Sequence, residues 1–250
     1  MKKGLTNADR KRGCVANFFK GGGKAYDYLQ RLSLSQRCNH DGGLMVFAYP
    51  LSYRNVEELL EERGAYLDHA TVNRWVIKFS VILEKIFRKR KKPVGSSWRM
   101  DETYIKIKGK WFYYYRAVDK AGKTIDFYLS EKRDENAARG FFEKSIASSG
   151  KPGKVNIDKS GANLAALTSL NDSLPAEERI FVRLLKILNQ IIEQDHRFIK
   201  KITKPMIGFK SFLGAQATLI GIELCHMLKK GQNTMHSTLS PWQQFYALIG

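Results

Sequence analysis

Three acidic residues, Asp101, Asp158 and Glu193, are candidates whose carboxylates could hold divalent cations against a phosphodiester. In-line attack on phosphorus places negative charge on both the entering and the leaving oxygen. Two divalent cations about 4 Å apart stabilise both oxygens, and carboxylates are the hard ligands that hold such ions. A site of this kind draws its ligands from separate elements that converge in a polar cleft. Asp101 lies inside a strand-like segment, where a carboxylate is costly without a ligand or partner. Its neighbour Glu102 should point to the opposite face, so only one of the two can share a face with the other ligands. Asp158 ends a short apolar strand, the usual place for sites in α/β sheets, although capping the helix that follows is the ordinary alternative.

Glu193 belongs to a helical stripe. Turning the segment from Asn189 by about 100° per residue sets Ile191, Ile192, Phe198, Ile199 and Ile202 on one side. Glu193, His196, Arg197 and Lys200 fall together on the other. A carboxylate followed by cations on one stripe suits metal binding beside a phosphate backbone. A salt-bridged surface accounts for the Glu193–Arg197 spacing equally well. Asp195 falls near the apolar side, which this pattern leaves unexplained unless a buried partner meets it.

The elements that must position these groups follow from periodicity. Trp98–Ile107, Trp111–Val118 and Thr124–Leu129 read as three strands joined by tight turns at Gly109 and at Asp119–Lys123. A helix is expected over Asp134–Ser148 and a short strand at Val155–Ile157. A helix over Ala162–Leu170, a strand near Ile180–Leu184 and a helix over Asn189–Ile202 follow. The order is an α/β layer pattern. Ahead of it, Ser52 can cap a helix that stops at Gly64, and Asp68 can cap a second helix that buries Val72, Trp75, Val76 and Phe79. Two short helices around a glycine turn make a helix-turn-helix pattern, with His69, Thr71, Asn73, Arg74 and Lys78 left to face DNA. An ordinary helical hairpin has the same pattern. Arg88–Lys92, closed by Pro93 and Gly95, reads as a solvated basic linker. After the last of these elements, Phe212–Lys230 is expected to be helical, either packed on the catalytic layer or pairing with a second subunit.

The charge balance names the partner class. The 250-residue chain has 43 Lys and Arg against 24 Asp and Glu, a net +19, which points to a polyanion, with nucleic acid the commonest. Ribosome-like RNA packing and a membrane surface are the alternatives. There is no run of 18 apolar residues to cross a membrane, and the N-terminus has no apolar core of the kind a secretion signal needs. Cys14, Cys38 and Cys225 are odd in number and scattered, which fits a reducing cytosol; Cys38 and His40 have no second pair to complete a zinc site. Gly21–Lys24 is not a phosphate loop, since Phe18 and Ala25 stand where that motif needs Gly and Ser or Thr. Residues 1–43 read as an irregular basic segment.

Asp101-Glu102-Thr103-Tyr104 with Lys108-Gly109-Lys110-Trp111, then Tyr115-Arg116-Ala117-Val118-Asp119, resembles the small bacterial insertion-sequence transposases of family six. Asp158-Lys159-Ser160-Gly161-Ala162-Asn163 and Ile192-Glu193-Gln194-Asp195-His196-Arg197-Phe198-Ile199-Lys200 resemble them too. The 34 residues between Asp158 and Glu193 match that family's Asp-Asp-34-Glu signature. The resemblance covers about Leu51 to Gln232. It implies a ribonuclease-H-like (retroviral-integrase-like) α/β catalytic domain over 93–232, a helix-turn-helix module and linker over 44–92, and a tail over 233–250. It further implies two Mg2+ ions, with Mn2+ as the substitute, held by Asp101, Asp158 and Glu193. Lys200, with Arg197, would contact DNA near the site. The implied activity is cleavage at terminal inverted repeats and strand transfer into target DNA, by a homo-oligomer on DNA in the bacterial cytoplasm and nucleoid. The family has an apolar helix before Leu51 that residues 1–43 do not resemble; only Leu44–Tyr49 could be its remnant. The rival readings are a degraded DNA-binding remnant without catalysis and a nuclease acting on RNA–DNA hybrids.

Overall fold

The computed structural model describes residues 42–158, 160–235 and 238–248. Expectations that concern residues 1–41, including the Gly21–Lys24 loop and the Cys38–His40 pair, lie outside the described residues. The chain divides into two compact units. One takes in the chain up to Arg90, Ile202–Met206 and the part from Leu213 onward; the other is Lys91–Lys201 with Ile207–Phe212.

The first unit is helical. Residues 42–48 form a short helix, so the Leu44–Tyr49 remnant is helical almost throughout, and Val46 and Phe47 are buried. Helix α1 (Tyr53–Glu61) opens on Ser52, whose hydroxyl accepts from the Asn55 N–H while the Asn55 side chain accepts from Ser52 N–H, a reciprocal cap. Gly64 turns the chain at φ 74°. Helix α2 (His69–Arg90) runs 22 residues and buries Val72, Val76, Ser80, Leu83 and Phe87. Arg88–Arg90 are therefore helical, not part of an extended linker. Leu83 and Phe87 prolong the apolar stripe, Glu84 pairs with Arg88 at 2.6 Å, and cations suit a helix C-terminus. Helix α6 (Phe212–Lys229) has an almost unbroken buried run from Gly214 to Leu228. Within this unit its Thr218 hydroxyl bonds Tyr53 at 2.7 Å, and Lys229 lies over the Trp242 ring of α7 (Pro241–Tyr246) at 4.9 Å. The contacts of α6 from Leu213 onward thus belong with the helices of the first unit.

The second unit is a five-stranded mixed sheet in the order β3-β2-β1-β4-β5. Strands β1 (Ser97–Ile107), β2 (Lys110–Asp119) and β3 (Thr124–Ser130) are antiparallel, and β4 (Lys154–Asn156) and β5 (Phe181–Arg183) run parallel to β1. Helix α3 (Glu135–Ser149) is capped by Asp134, whose carboxylate accepts from Ala137 N–H; α4 is Gly161–Asp172 and α5 is Gln190–Thr203. The Asp119 carboxylate closes the β2–β3 turn by accepting from Ala121 and Lys123 N–H, and it also accepts from Gly95 N–H. One face of the sheet packs Trp98, Met100, Tyr115 and Ala117 against Phe141 and Phe142 of α3 and Leu167 of α4. This core makes β1 a rigid base for the acidic groups.

Candidate active site

Strand β4 pairs with β1 only through Ser97↔Lys154, Trp98↔Val155 and Arg99↔Asn156. Strand β1 runs on to Ile107, so Asp158, two residues past the last pair, comes beside the edge of β1 at Asp101 and Glu102. One oxygen from each of Asp101, Glu102 and Asp158 lies within 4.8 Å of the other two. The alternation expected for β1 governs what the two neighbours touch: Asp101 meets His196 of α5, and Glu102 meets Asn163 of α4 and Arg133. It does not keep their carboxylates apart, because Asp158 sits past the end of β4, where both can reach it.

Glu102 is nearly sealed in, with its side chain 3% exposed. Asn163 donates to it at 2.9 Å and Arg133 lies 3.5 Å away. Burial pushes the Glu102 carboxyl above its usual range, and the Asn163 bond and Arg133 oppose that rise. Arg133 also reaches Asp158 at 3.6 Å, and Asp158 accepts from Ser160 N–H at 3.0 Å. The N-cap position of α4 is Ser160 rather than Asp158, so the plain capping role does not account for Asp158. The arrangement is a set of hard oxygen donors with one guanidinium on its flank, which fits a divalent cation.

Helix α5 is fastened to the opposite face of the sheet. Arg116, directly across from Asp101 on β2 and fully buried, donates to Asp195 at 2.7 Å. That pair accounts for Asp195 on the apolar side of the helix. His196 is 4% exposed, so it leaves the solvent stripe on which the helical projection placed it. It follows Ile192 by four residues and precedes Ile199 by three, on the packed side. Its Nε2 lies 3.4 Å from Asp101 Oδ2, and neither ring nitrogen makes a well-formed hydrogen bond among the described residues. Burial holds the imidazole below its ordinary pKa, and Asp101 opposes the shift. Glu193, Arg197 and Lys200 are exposed on α5 as expected, and Glu193 is not a member of the Asp101–Glu102–Asp158 group. Before α5, the buried Asn156 of β4 donates to Asn189 at 2.6 Å and to Leu185 O at 3.0 Å, tying the strand that delivers Asp158 to the start of the helix that presents Glu193.

In the first unit, His69 Nδ1 lies 2.8 Å from Glu57, Arg74 donates to Thr71 at 2.7 Å, and Lys78 lies 5.5 Å from the centre of the Phe79 ring. Asn73 is half-buried. Arg133 and Asn156 went unassigned in the sequence because nothing in their local pattern marks them, and Glu102 was set apart from the other ligands by strand alternation; tertiary contacts gave all three their place. Arg116 and Asn163 stood inside quoted motifs without a role.

A family model described as a DDE domain matches residues 95–232. The transposase for insertion sequence-like element IS431mec of Staphylococcus aureus is 42% identical over 182 residues, covering 73% of this chain and 80% of that protein. The transposase for insertion sequence element IS257 in transposon Tn4003, also from Staphylococcus aureus, is 41% identical over the same shares. Among solved structures, the HTLV-2 integrase catalytic core domain in complex with magnesium aligns at TM-score 0.44 and 17% identity, over 62% of this chain and 99% of that one. The simian T-cell lymphotropic virus intasome in complex with PP2A regulatory subunit B56 gamma aligns at 0.42 and 14%, over 76% of this chain and 70% of that one. By the family match and these relatives, the chain belongs to the DDE transposases of insertion-sequence family six, enzymes that cleave DNA strands and transfer them.

Proposed function

We propose that Asp101, Asp158 and Glu193 hold two Mg2+ ions, and that the protein cuts the terminal inverted repeats of an insertion sequence and joins the freed 3′ ends to target DNA. The observation that carries the reading is the convergence of the Asp101 and Asp158 oxygens within 4.8 Å beside a helix that bears Glu193 and is fastened to the same strands. The cations would supply charge stabilisation at the entering and leaving oxygens of the phosphoryl transfer. The chain's own groups orient them. Arg133 and Ser160 N–H fix Asp158, His196 abuts Asp101, and the Arg116–Asp195 pair sets the rotation of α5. Arg197 and Lys200, exposed along the Glu193 side of α5, would take DNA phosphates there.

The sheet order and helices α3 to α5 support a ribonuclease-H-like domain within the 93–232 span, with α6 grouped among the helices of the first unit. The capped pair α1–α2 supports a helix-turn-helix over 44–92, in which His69, Thr71, Asn73, Arg74 and Lys78 read the element's ends. The tail over 233–250, an assembly of several copies on DNA, and residence in the cytoplasm on the nucleoid complete the reading. Among the described residues no helix is long and apolar enough to cross a membrane.

Nicking and strand transfer on a terminal-repeat duplex test it. With Mg2+, Asp158→Asn and Glu193→Gln should each lower both steps by more than about a hundredfold while duplex binding persists. Undiminished activity in either variant refutes the assignment, and wild-type protein that binds but never nicks favours a non-catalytic remnant. Because Glu102 shares the acidic group, Glu102→Gln is the companion variant. A loss confined to Glu102→Gln, with Glu193→Gln active, would make Glu102 the third ligand.

A further inference from the structure

The β1–β2 hairpin extends well past the acidic group, and its outer face is an exposed ledge of aromatics and lysines. Trp111 is 61% exposed and Tyr104 50% exposed, unusual for rings of this size in a sheet. Tyr104 faces Tyr113 across the strands with ring centres 5.5 Å apart, and meets Trp111 edge-on at 6.4 Å. Lys106, paired with Trp111, places its Nζ 5.9 Å from the indole centre. Lys108 and Lys110 flank Gly109 at the tip, and no acidic residue occurs between Thr103 and Phe112. The β1 edge of the hairpin is held: Ile107 bridges Phe209, Lys108 N–H donates to Phe209 O and Phe209 N–H to Lys106 O, both at 2.8 Å. Phe112 packs on Phe212 at 5.8 Å. The ledge is therefore a rigid face, not a loose tip.

Glu102 opens the same face. Residues 102, 104 and 106 project to one side of β1, so the ledge starts at the acidic group and runs about 13 Å along the strand from Glu102 to Lys106. That is room for roughly three nucleotides of a strand. Rings with bare faces stack on bases of any sequence, and lysines beside them track the backbone, the combination found in platforms for unpaired strands. A second copy of the chain, itself at +19, is a poor match for a face whose charges beyond Glu102 are lysines.

Resting on the proposed strand-transfer reading, we propose that Tyr104, Trp111 and Tyr113, with Lys106 and Lys108 at the tip, form a platform that holds unpaired nucleotides of the DNA strand next to the scissile phosphate. Bases stack on Tyr104 and Trp111 while the lysines contact phosphates, which keeps a frayed or overhanging end from re-pairing beside the carboxylates.

The test compares full-length protein on two probes, a blunt duplex and the same duplex carrying a short unpaired overhang with 2-aminopurine in it. Wild type should prefer the overhang and quench the 2-aminopurine. Trp111→Ala and Tyr104→Ala should each weaken overhang binding by about tenfold and relieve the quenching, with blunt-duplex affinity nearly unchanged. Trp111→Phe should recover most of the loss. Both residues are exposed, and circular dichroism of each variant verifies folding. Equal binding of the two probes by wild type, or wild-type quenching by Trp111→Ala, overturns the platform. So does self-association lost in Trp111→Ala with overhang binding intact, which would make the ledge a contact between copies. These readouts need no turnover, so a failed platform leaves the nicking of wild type and the loss in Asp158→Asn standing, and a failure of that chemistry leaves the binding result readable.

Discussion

A single buried ion pair decides how α5 meets the sheet. Arg116 is fully enclosed and its partner Asp195 is 10% exposed, so neither charge can fall back on bulk water. Breaking such a pair from one side commonly costs about 3–5 kcal/mol, because a buried charge is left behind. Asp195→Asn should accordingly destabilise the second unit by about that amount, read as a lowered urea midpoint. It should also reduce nicking beyond what the lost stability explains, since α5 also bears Glu193. Replacing the pair together, as Arg116→Met with Asp195→Leu, should restore much of the stability without restoring activity. If the double variant nicks DNA as wild type does, the pair is structural only. The same residue scale explains why Glu102 joins Asp101: a strand edge left bare by the end of β4 is open from both faces.

At the scale of elements, the helical unit turns on one close approach. A side chain at Gly221 in the middle of α6 would place its Cβ 2.2 Å from the Phe47 ring, which is itself 1% exposed and set 6.4 Å from Phe245. In an open helix, Gly→Ala is worth close to 1 kcal/mol in favour of the helix. Here the sign should reverse. Gly221→Ala is expected to cost about 1–3 kcal/mol, as overpacking does, and to lower the thermal midpoint. A neutral or stabilised variant would show that the 42–48 helix is not seated on α6 as described. The contact also gives the Leu44–Tyr49 stretch a place in the core, although only part of an apolar helix was visible there in the sequence.

For the whole molecule, the excess of 19 positive charges sets the physics of encounter. Duplex binding should be strongly salt-dependent, falling about a thousandfold between roughly 50 and 200 mM salt if six or more phosphates are neutralised. Lys200→Ala should lessen the slope of log affinity against log salt by about one, without changing sequence preference. A flat salt response would mean that the basic surface does not bind the DNA backbone. Filter binding at several salt concentrations, with terminal-repeat and unrelated duplexes, separates the two outcomes.

Much of this protein follows from local order along the chain. The strand and helix succession, the turns at Gly109 and Asp119–Lys123, the cap at Ser52, and the three spaced motifs all depend on near neighbours, which periodicity and capping chemistry report directly. Even the oddity of Asp195 was visible, because a charge on an apolar stripe is a local contradiction. The identity of the group that meets it was not, since Arg116 lies 79 residues away and only the pairing of β2 with β1 brings it under α5. His196 shows the limit of a helical projection, which gives angles around one axis but not which arc a neighbouring sheet will cover. Likewise Asn156, Asn163 and Arg133 acquired roles only once three chain segments met at the end of β4. Sequence spacing determined the chemistry on offer; the early end of one short strand and the burial of one guanidinium decided where that chemistry is assembled, because long-range packing, not local preference, sets which polar groups lose their water.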